Sequence, residues 1–363
     1  MEKKTENKMN TTPMGRPVRI ISIGFTGRPE DCTPMNPYPL RRLDEMVGYI
    51  ESCAGVDETD MILLPEFWPG ASVIQDLEGE VITEMRRLAA RYRTYMICPI
   101  SRKTENIPKL NSAVLIDRQG EIVGVYDKHY PFWSEYDIDP APAPGQEIPV
   151  FDTDFGRIGM AICFDANFPD VWDALGRQGA EIVFWPSAYS AGTQLQAHAL
   201  NHNYYIVTAT TAGDCLAYDI NGQEILYECS PDVNITRLTL DLDRCIFHDN
   251  FNIEALEKLI QDHGDEVEIE LRMPKESWFI LRTKQDGVPI RPLADQYGLT
   301  GLRAYKYDSQ FRIDSLRNEN LRSLTPRTGT FYDYLSSVGI LAKSCPDVFR
   351  QVKVVRTVSK TEK

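Results

Sequence analysis

The stretch Arg157-Ile158-Gly159-Met160-Ala161-Ile162-Cys163-Phe164-Asp165 decides how the rest of the chain is read. It is a short apolar run, and its Ile158, Ala161 and Ile162 suit a strand buried on both faces better than one facing solvent. It leads through Asn167-Phe168-Pro169-Asp170 into Val171-Trp172-Asp173-Ala174-Leu175, where a helical pattern begins. Pro169 fits a first helical turn, and Asp170 suits the positive end of the helix dipole. Cys163 is thereby predicted at a strand end, on the turn into a helix. A thiol placed there is expected to be exposed at the top of a sheet, with a lowered pKa. Taken alone, a Cys is more often a small buried hydrophobe than a reactive group.

Two further strand ends change that balance. Asp60-Met61-Ile62-Leu63-Leu64-Pro65-Glu66 is an apolar strand closing on a carboxylate, and Val123-Gly124-Val125-Tyr126-Asp127-Lys128 closes on a cation. Sites in α/β sheets are built at the carboxyl ends of strands. Glu66, Lys128 and Cys163 follow one another in chain order. Judged singly, Glu66 reads as a helix-start carboxylate and Lys128 as a solvated strand-end cation.

The stretches Leu64-Pro65-Glu66, Tyr126-Asp127-Lys128 and Ile162-Cys163-Phe164-Asp165 together resemble the nitrilase, or carbon–nitrogen hydrolase, superfamily, with its Glu-Lys-Cys triad. The resemblance runs over about residues 18–243. It implies an α/β fold, a four-layer α-β-β-α sandwich of mixed sheets. It also implies that Cys163 is the nucleophile and Glu66 the proton carrier. Lys128 and the backbone N–H of Phe164 would stabilise the oxyanion. The implied reaction is hydrolysis of a C–N bond through a thioester, without metal or cofactor. Glu135 resembles the further Glu that amidase-type members carry near the Lys, with Asp127 and Glu147 as weaker substitutes. Superfamily enzymes commonly pair into dimers and larger assemblies, so a homo-oligomer is expected.

The 363 residues are 42% hydrophobic, enough for a sizeable core. The net charge of −14 disfavours nucleic acid or an anionic membrane as partner. No apolar stretch is long enough to span a bilayer. The polar start, Met1 to Lys8, does not read as a signal peptide. The eight Cys are scattered without metal-type spacing, so reduced thiols in a cytoplasmic protein are the expectation.

Along the chain, residues 1–16 read as a disordered tail and 17–246 as the hydrolase domain. Residues 247–350 read as a C-terminal extension packing on the core or on a partner subunit, and 351–363 as a frayed tail. Helical spacing is found over 40–55, 80–92, 194–203 and 253–261, and strands over 18–25, 61–64, 95–100, 111–117, 122–126, 181–186, 204–210, 237–242 and 267–271, with a further apolar run at 278–282. Hairpin turns at Arg118-Gln119-Gly120-Glu121 and at Asn221-Gly222 argue for sheets of mixed direction. Residues 293–300 look superficially like half of a helix-turn-helix, but Lys/Arg clustering is absent there.

Phe132, Trp133, Phe164, Trp185 and Tyr189 are candidate pocket walls, with Trp133, Trp185 and Tyr189 favoured as substrate-binding. Asp165 and Asn203 are candidates for holding the loop around Cys163, and His129 and His202 read as structural. Phe164-Asp165 after the Cys departs from the Trp-Glu usual in nitrilases proper. It looks closer to amidases and carbamoyl hydrolases. A carbamoylase would call for a cationic clamp, for which Arg157, Arg177 or a C-terminal Arg are candidates. The reading is a hydrolase of a small amide or N-carbamoyl compound that releases ammonia. The alternatives are a nitrilase, and a catalytically silent scaffold.

Overall fold

The computed structural model describes residues 12–26, 43–137 and 139–318. In chain order these form β1 (Pro17–Phe25), α1 (Leu43–Ala54), β2 (Met61–Leu63), β3 (Ile74–Gln75), α2 (Glu80–Tyr92), β4 (Tyr95–Arg102), β5 (Leu110–Ile116), β6 (Ile122–Asp127), β7 (Val150–Asp152) and β8 (Arg157–Met160). There follow α3 (Pro169–Arg177), β9 (Ile182–Ser187), α4 (Thr193–His202), β10 (Tyr205–Thr210), β11 (Asp214–Tyr218), β12 (Glu224–Cys229) and β13 (Val233–Asp241). The last elements are β14 (Cys245–His248), α5 (Asp249–His263), β15 (Val267–Met273), β16 (Trp278–Thr283), α6 (Ile290–Gln296) and α7 (Leu302–Asn318).

Two mixed sheets carry the fold. The seven-stranded sheet runs β13-β1-β2-β4-β5-β6, with β3 also paired to β4, and the six-stranded sheet runs β12-β11-β10-β9-β8-β7. The pairs β1–β2, β2–β4, β8–β9 and β9–β10 are parallel, while the hairpins β5–β6 and β11–β12 are antiparallel.

Side-chain alternation builds the layers. Ile20, Met61, Leu63 and Ile97 from the first sheet meet Ile158, Met160, Ile182 and Phe184 from the second in one shared core. Their neighbours Ile21, Ile62 and Met96 point the other way, into α1 and α2. Val183 and Trp185 likewise face Trp172, Leu175, Leu195 and Ala199 of α3 and α4. The order of layers is therefore α-β-β-α, as the resemblance implied. Strands buried on both faces explain why they read as continuous apolar runs.

The chain from β14 onward adds a three-stranded sheet, β14-β16-β15, with its own core of Phe247, Leu256, Leu259, Phe279, Leu281 and Ile290. Its α7 lies against α3 and α4. Arg303 donates to the Ala180 carbonyl, the Tyr307 hydroxyl meets His202 Nδ1 at 3.0 Å, and Lys306 donates to the Asn201 carbonyl at 2.6 Å.

Two expectations change. The N-terminal segment is tied down earlier than residue 17: Gly15 and Arg16 donate backbone N–H groups to Asp241, and Arg16 pairs with Glu181. Residues 293–300 span the end of the short helix Ile290–Gln296, whose Ile290 and Ala294 are buried, and the connection to α7. The strand through Cys163 stops at Met160. Most of the first tail and all of the last, 351–363, lie outside the described residues. Among the described residues, no helix is long and apolar enough to cross a membrane.

Candidate active site

Three strand ends converge. Glu66 follows β2, Lys128 follows β6, and Cys163 follows β8, while Glu135 comes from the 3-10 turn Trp133–Asp137. Glu66 is 0% exposed, Lys128 1%, Glu135 6% and Cys163 7%. Charged groups this deeply buried must be paired, and they are. Lys128 Nζ donates to Glu66 Oε1 at 2.9 Å and to Glu135 Oε1 at 2.5 Å.

The carboxylates are held from other directions too. Asn111 Nδ2 donates to Glu66 Oε1 at 2.7 Å and to Glu135 Oε2 at 3.2 Å. The Ala188 N–H donates to Glu66 Oε2 at 2.8 Å, and the Phe132 N–H to Glu135 Oε1 at 2.9 Å. Lys128 itself is fixed by its backbone: its N–H donates to the Asn111 carbonyl, extending the β5–β6 ladder, and its carbonyl accepts from Gly145. Gly145 packs so closely that a Cβ there would collide with the Asp127 carbonyl.

Cys163 has φ 48°, a left-handed conformation that is strained for a residue with a side chain. The surroundings over-determine it. Asp165 Oδ2 accepts from the Ile162 N–H at 2.8 Å and from the Tyr126 hydroxyl at 2.7 Å, and Oδ1 accepts from the Tyr130 N–H at 2.8 Å. Trp172 Nε1 donates to the Asp165 carbonyl, and Trp185 Nε1 to the Cys163 carbonyl. Asp165 thus captures the Ile162 N–H, which helps end the strand early and turn the chain.

The electrostatics follow from burial. Loss of water raises Glu66 above the usual carboxylate range and Glu135 adds to it, with Lys128 only partly opposing. Burial alone would lower Lys128, but the carboxylates Glu66 and Glu135, together with Cys163 when it ionises, outweigh it and hold the ammonium well above its ordinary value. Burial and the Glu66 charge push the Cys163 thiol up, against Lys128 and the Ala188 N–H. This corrects the expectation of an exposed, lowered-pKa thiol: the strand end lies between two sheets and not on a surface. Burial also pushes Asp165 up to about 6, despite its three donors. A raised thiol beside a raised carboxylate and a fixed cation suits a nucleophile that loses its proton as it attacks.

Of the aromatic candidates, Trp133 is 67% exposed on the Glu135 turn. Trp185 is fully buried and spends its N–H on Cys163, which makes it a support beneath that residue. Tyr189 is partly buried with its ring edge-on to Trp185 at 5.4 Å, and Phe132 lies 5.0 Å from Phe164. Phe164 follows Cys163 as the second residue of the turn Cys163–Asn167. Asp127 is taken by Arg102 and Ser112, and Glu147 is exposed, so neither replaces Glu135. Asn203 caps α4 in a left-handed conformation, bonded to Leu200 and Ile220, away from the Cys163 turn. Arg157 and Arg177 pair with Asp152 and Asp173 at the surface and offer no clamp here. Asn111, which ties the two carboxylates together, was not singled out in the sequence. Its signal is a polar residue near the start of a mostly apolar strand.

The family model for carbon–nitrogen hydrolases matches residues 36–246. A deaminated glutathione amidase from Yersinia enterocolitica is 32% identical over 157 residues, which are 38% of this chain and 54% of that one. A β-ureidopropionase from Arabidopsis thaliana is 32% identical over 187 residues, 47% of this chain and 46% of that one. The matched stretches thus span about half the length of these curated relatives. Among solved structures, Nit3 of Saccharomyces cerevisiae superposes with a TM-score of 0.52 at 17% identity, covering 69% of this chain and 95% of that one. An amidase from Nesterenkonia sp. AN1 gives 0.54 at 19%, covering 64% and 93%. The likeness in fold and the family match over most of the two-sheet core together establish that the chain belongs to the carbon–nitrogen hydrolase family.

Proposed function

We propose that the protein is an amidase that hydrolyses a small amide or N-carbamoyl compound through a thioester on Cys163 and releases ammonia. The observation that carries this reading is the Lys128 ammonium held between Glu66 and Glu135 beside a buried thiol. The amidase and ureidopropionase relatives support it.

In the first half-reaction Glu66 takes the Cys163 proton as sulfur attacks the carbonyl carbon. The oxyanion forms against the Lys128 ammonium and the Phe164 N–H. Collapse breaks the C–N bond, and the proton on Glu66 leaves with the amine as ammonia. In the second half-reaction Glu66 draws a proton from water, whose oxygen attacks the thioester. The acid departs and Cys163 regains its proton. Glu135 does not exchange protons in this scheme; it fixes Lys128 and so positions the oxyanion site.

The test is ammonia release from amides, N-carbamoyl amino acids, carbamoyl amines and nitriles. Release from an amide or ureido compound that falls at least about 10³-fold in Cys163→Ala is the expected result. Release from nitriles alone would move the protein to the nitrilase branch. No release, with Cys163 no faster to alkylate by iodoacetamide than the other thiols, would favour a silent scaffold.

A further inference from the structure

Lys109 stands one residue before β5 and two before Asn111, so the strand period sends both side chains to the same face, toward Glu66 and Glu135. The Lys109 residue is only 2% exposed. Among the described residues its ammonium has no carboxylate within ion-pair distance and no hydrogen-bond partner, which is an expensive way to bury a cation. Its neighbours cannot supply one. Glu66 is already bound by Lys128, Asn111 and the Ala188 N–H, and Glu135 by Lys128, Asn111 and the Phe132 N–H. Glu135 acts on Lys109 through space only.

Nor is the ammonium sealed in. Asn111 Oδ1 is a fully enclosed polar atom without a partner, and the Lys109 nitrogen is not in that state. It therefore keeps a small exposed surface although the residue as a whole is buried. The peptide after it is held by Ala143, whose N–H donates to the Lys109 carbonyl at 2.9 Å, so the side chain springs from a fixed backbone.

Resting on the amidase reading above, we propose that Lys109 is a specificity-determining residue that binds a carboxylate on the substrate, so that the preferred substrates are amides or ureido compounds carrying an acid group a few carbons from the scissile carbonyl. An anion arriving there gives the buried ammonium the partner it lacks. A charge-assisted bond formed in a water-poor site is strong enough to select among substrates. A cationic substrate of equal length would meet repulsion from Lys109 and Lys128 together. Burial lowers the Lys109 pKa, and a bound carboxylate would reverse that pull.

The experiment compares glutaramate with the neutral valeramide. In the wild type kcat/KM favours glutaramate. Lys109→Met removes about 10- to 100-fold of kcat/KM for glutaramate, mostly through KM, and leaves valeramide within about threefold. Lys109→Arg keeps the preference, and Lys109→Gln loses it, which guards against a folding defect in the Met variant. Equal losses on both amides, or a wild type that does not prefer the acid, would overturn the inference. A second arm needs no turnover: calorimetric titration of glutaramate into Cys163→Ala, with and without Lys109→Met. Binding that Lys109→Met abolishes would support the carboxylate site even if no amide is hydrolysed, a result that would sink only the amidase reading. Absent binding, or binding that ignores Lys109, would overturn the site itself.

Discussion

Protonation of the buried side chains governs the proposed chemistry. In that scheme Glu66 must be ionised to accept the thiol proton, and its burial holds its pKa above the ordinary carboxylate value. Activity is therefore lost as pH falls through this raised pKa, earlier than an exposed Glu would dictate. The acid limb of kcat/KM is expected above the ordinary carboxylate value of about 4.3, and Glu66→Gln should abolish turnover. An acid limb at or below that value would mean that another group is the base. Glu66, Lys128 and Cys163 each follow a strand, but it was the family resemblance that joined them and added Glu135, and the structure brings the four together. Asn111 and Lys109 were not legible, because a polar residue next to a strand looks like a solvated edge until the opposite carboxylates are placed. The state of the thiol was misread for a related reason: sequence locates a strand end but not the second sheet that buries it.

At the element scale, Asp165 is the brace of the Cys163 turn. Its two oxygens accept from Ile162, Tyr130 and Tyr126, and an amide in its place would present a donor to at least one of these donors. Asp165→Asn is expected to lower stability by about 2–4 kcal/mol and to slow turnover, measured by urea unfolding and ammonia release. A variant with unchanged stability would show that the turn does not depend on this carboxylate. Helices were the most legible elements. The apolar spacing of Val81, Ile82, Met85, Leu88 and Ala89 placed Glu80–Tyr92 residue for residue. The short edge strand Val150–Asp152 has too few residues to show a period. The helix Leu302–Asn318 carries polar residues on most faces and gave no amphipathic signal.

At the scale of the whole molecule, the site is shared between two halves of the chain. Glu66, Lys128 and Glu135 come from the seven-stranded sheet and its loops, and Cys163 and Ala188 from the six-stranded one. The alternation of strands, helices and hairpins predicted mixed sheets, but the face-to-face packing came only with the family resemblance. Periodicity tells which residues are buried, not which sheet buries them. The C-terminal unit is joined to this core by Arg303, Lys306 and Tyr307 and by the N–H of Ile290 on Asp243. Removing the chain from Leu302 onward would uncover the His202 and Ala180 side of α3 and α4. Such a truncation is expected to lower Tm by several degrees in a thermal scan, and an unchanged Tm would mean that α7 is not part of the cooperative unit.

In the proposed reaction Cys163 carries the acyl group. This is tested most directly by acid-quenching the protein within the first turnovers on a hydrolysed amide and weighing it by mass spectrometry. A mass gain equal to the amide minus ammonia is expected on the peptide that contains Cys163, and none in Cys163→Ala. Ammonia release that proceeds undiminished in Cys163→Ala, or an acyl group found on another residue, would contradict it.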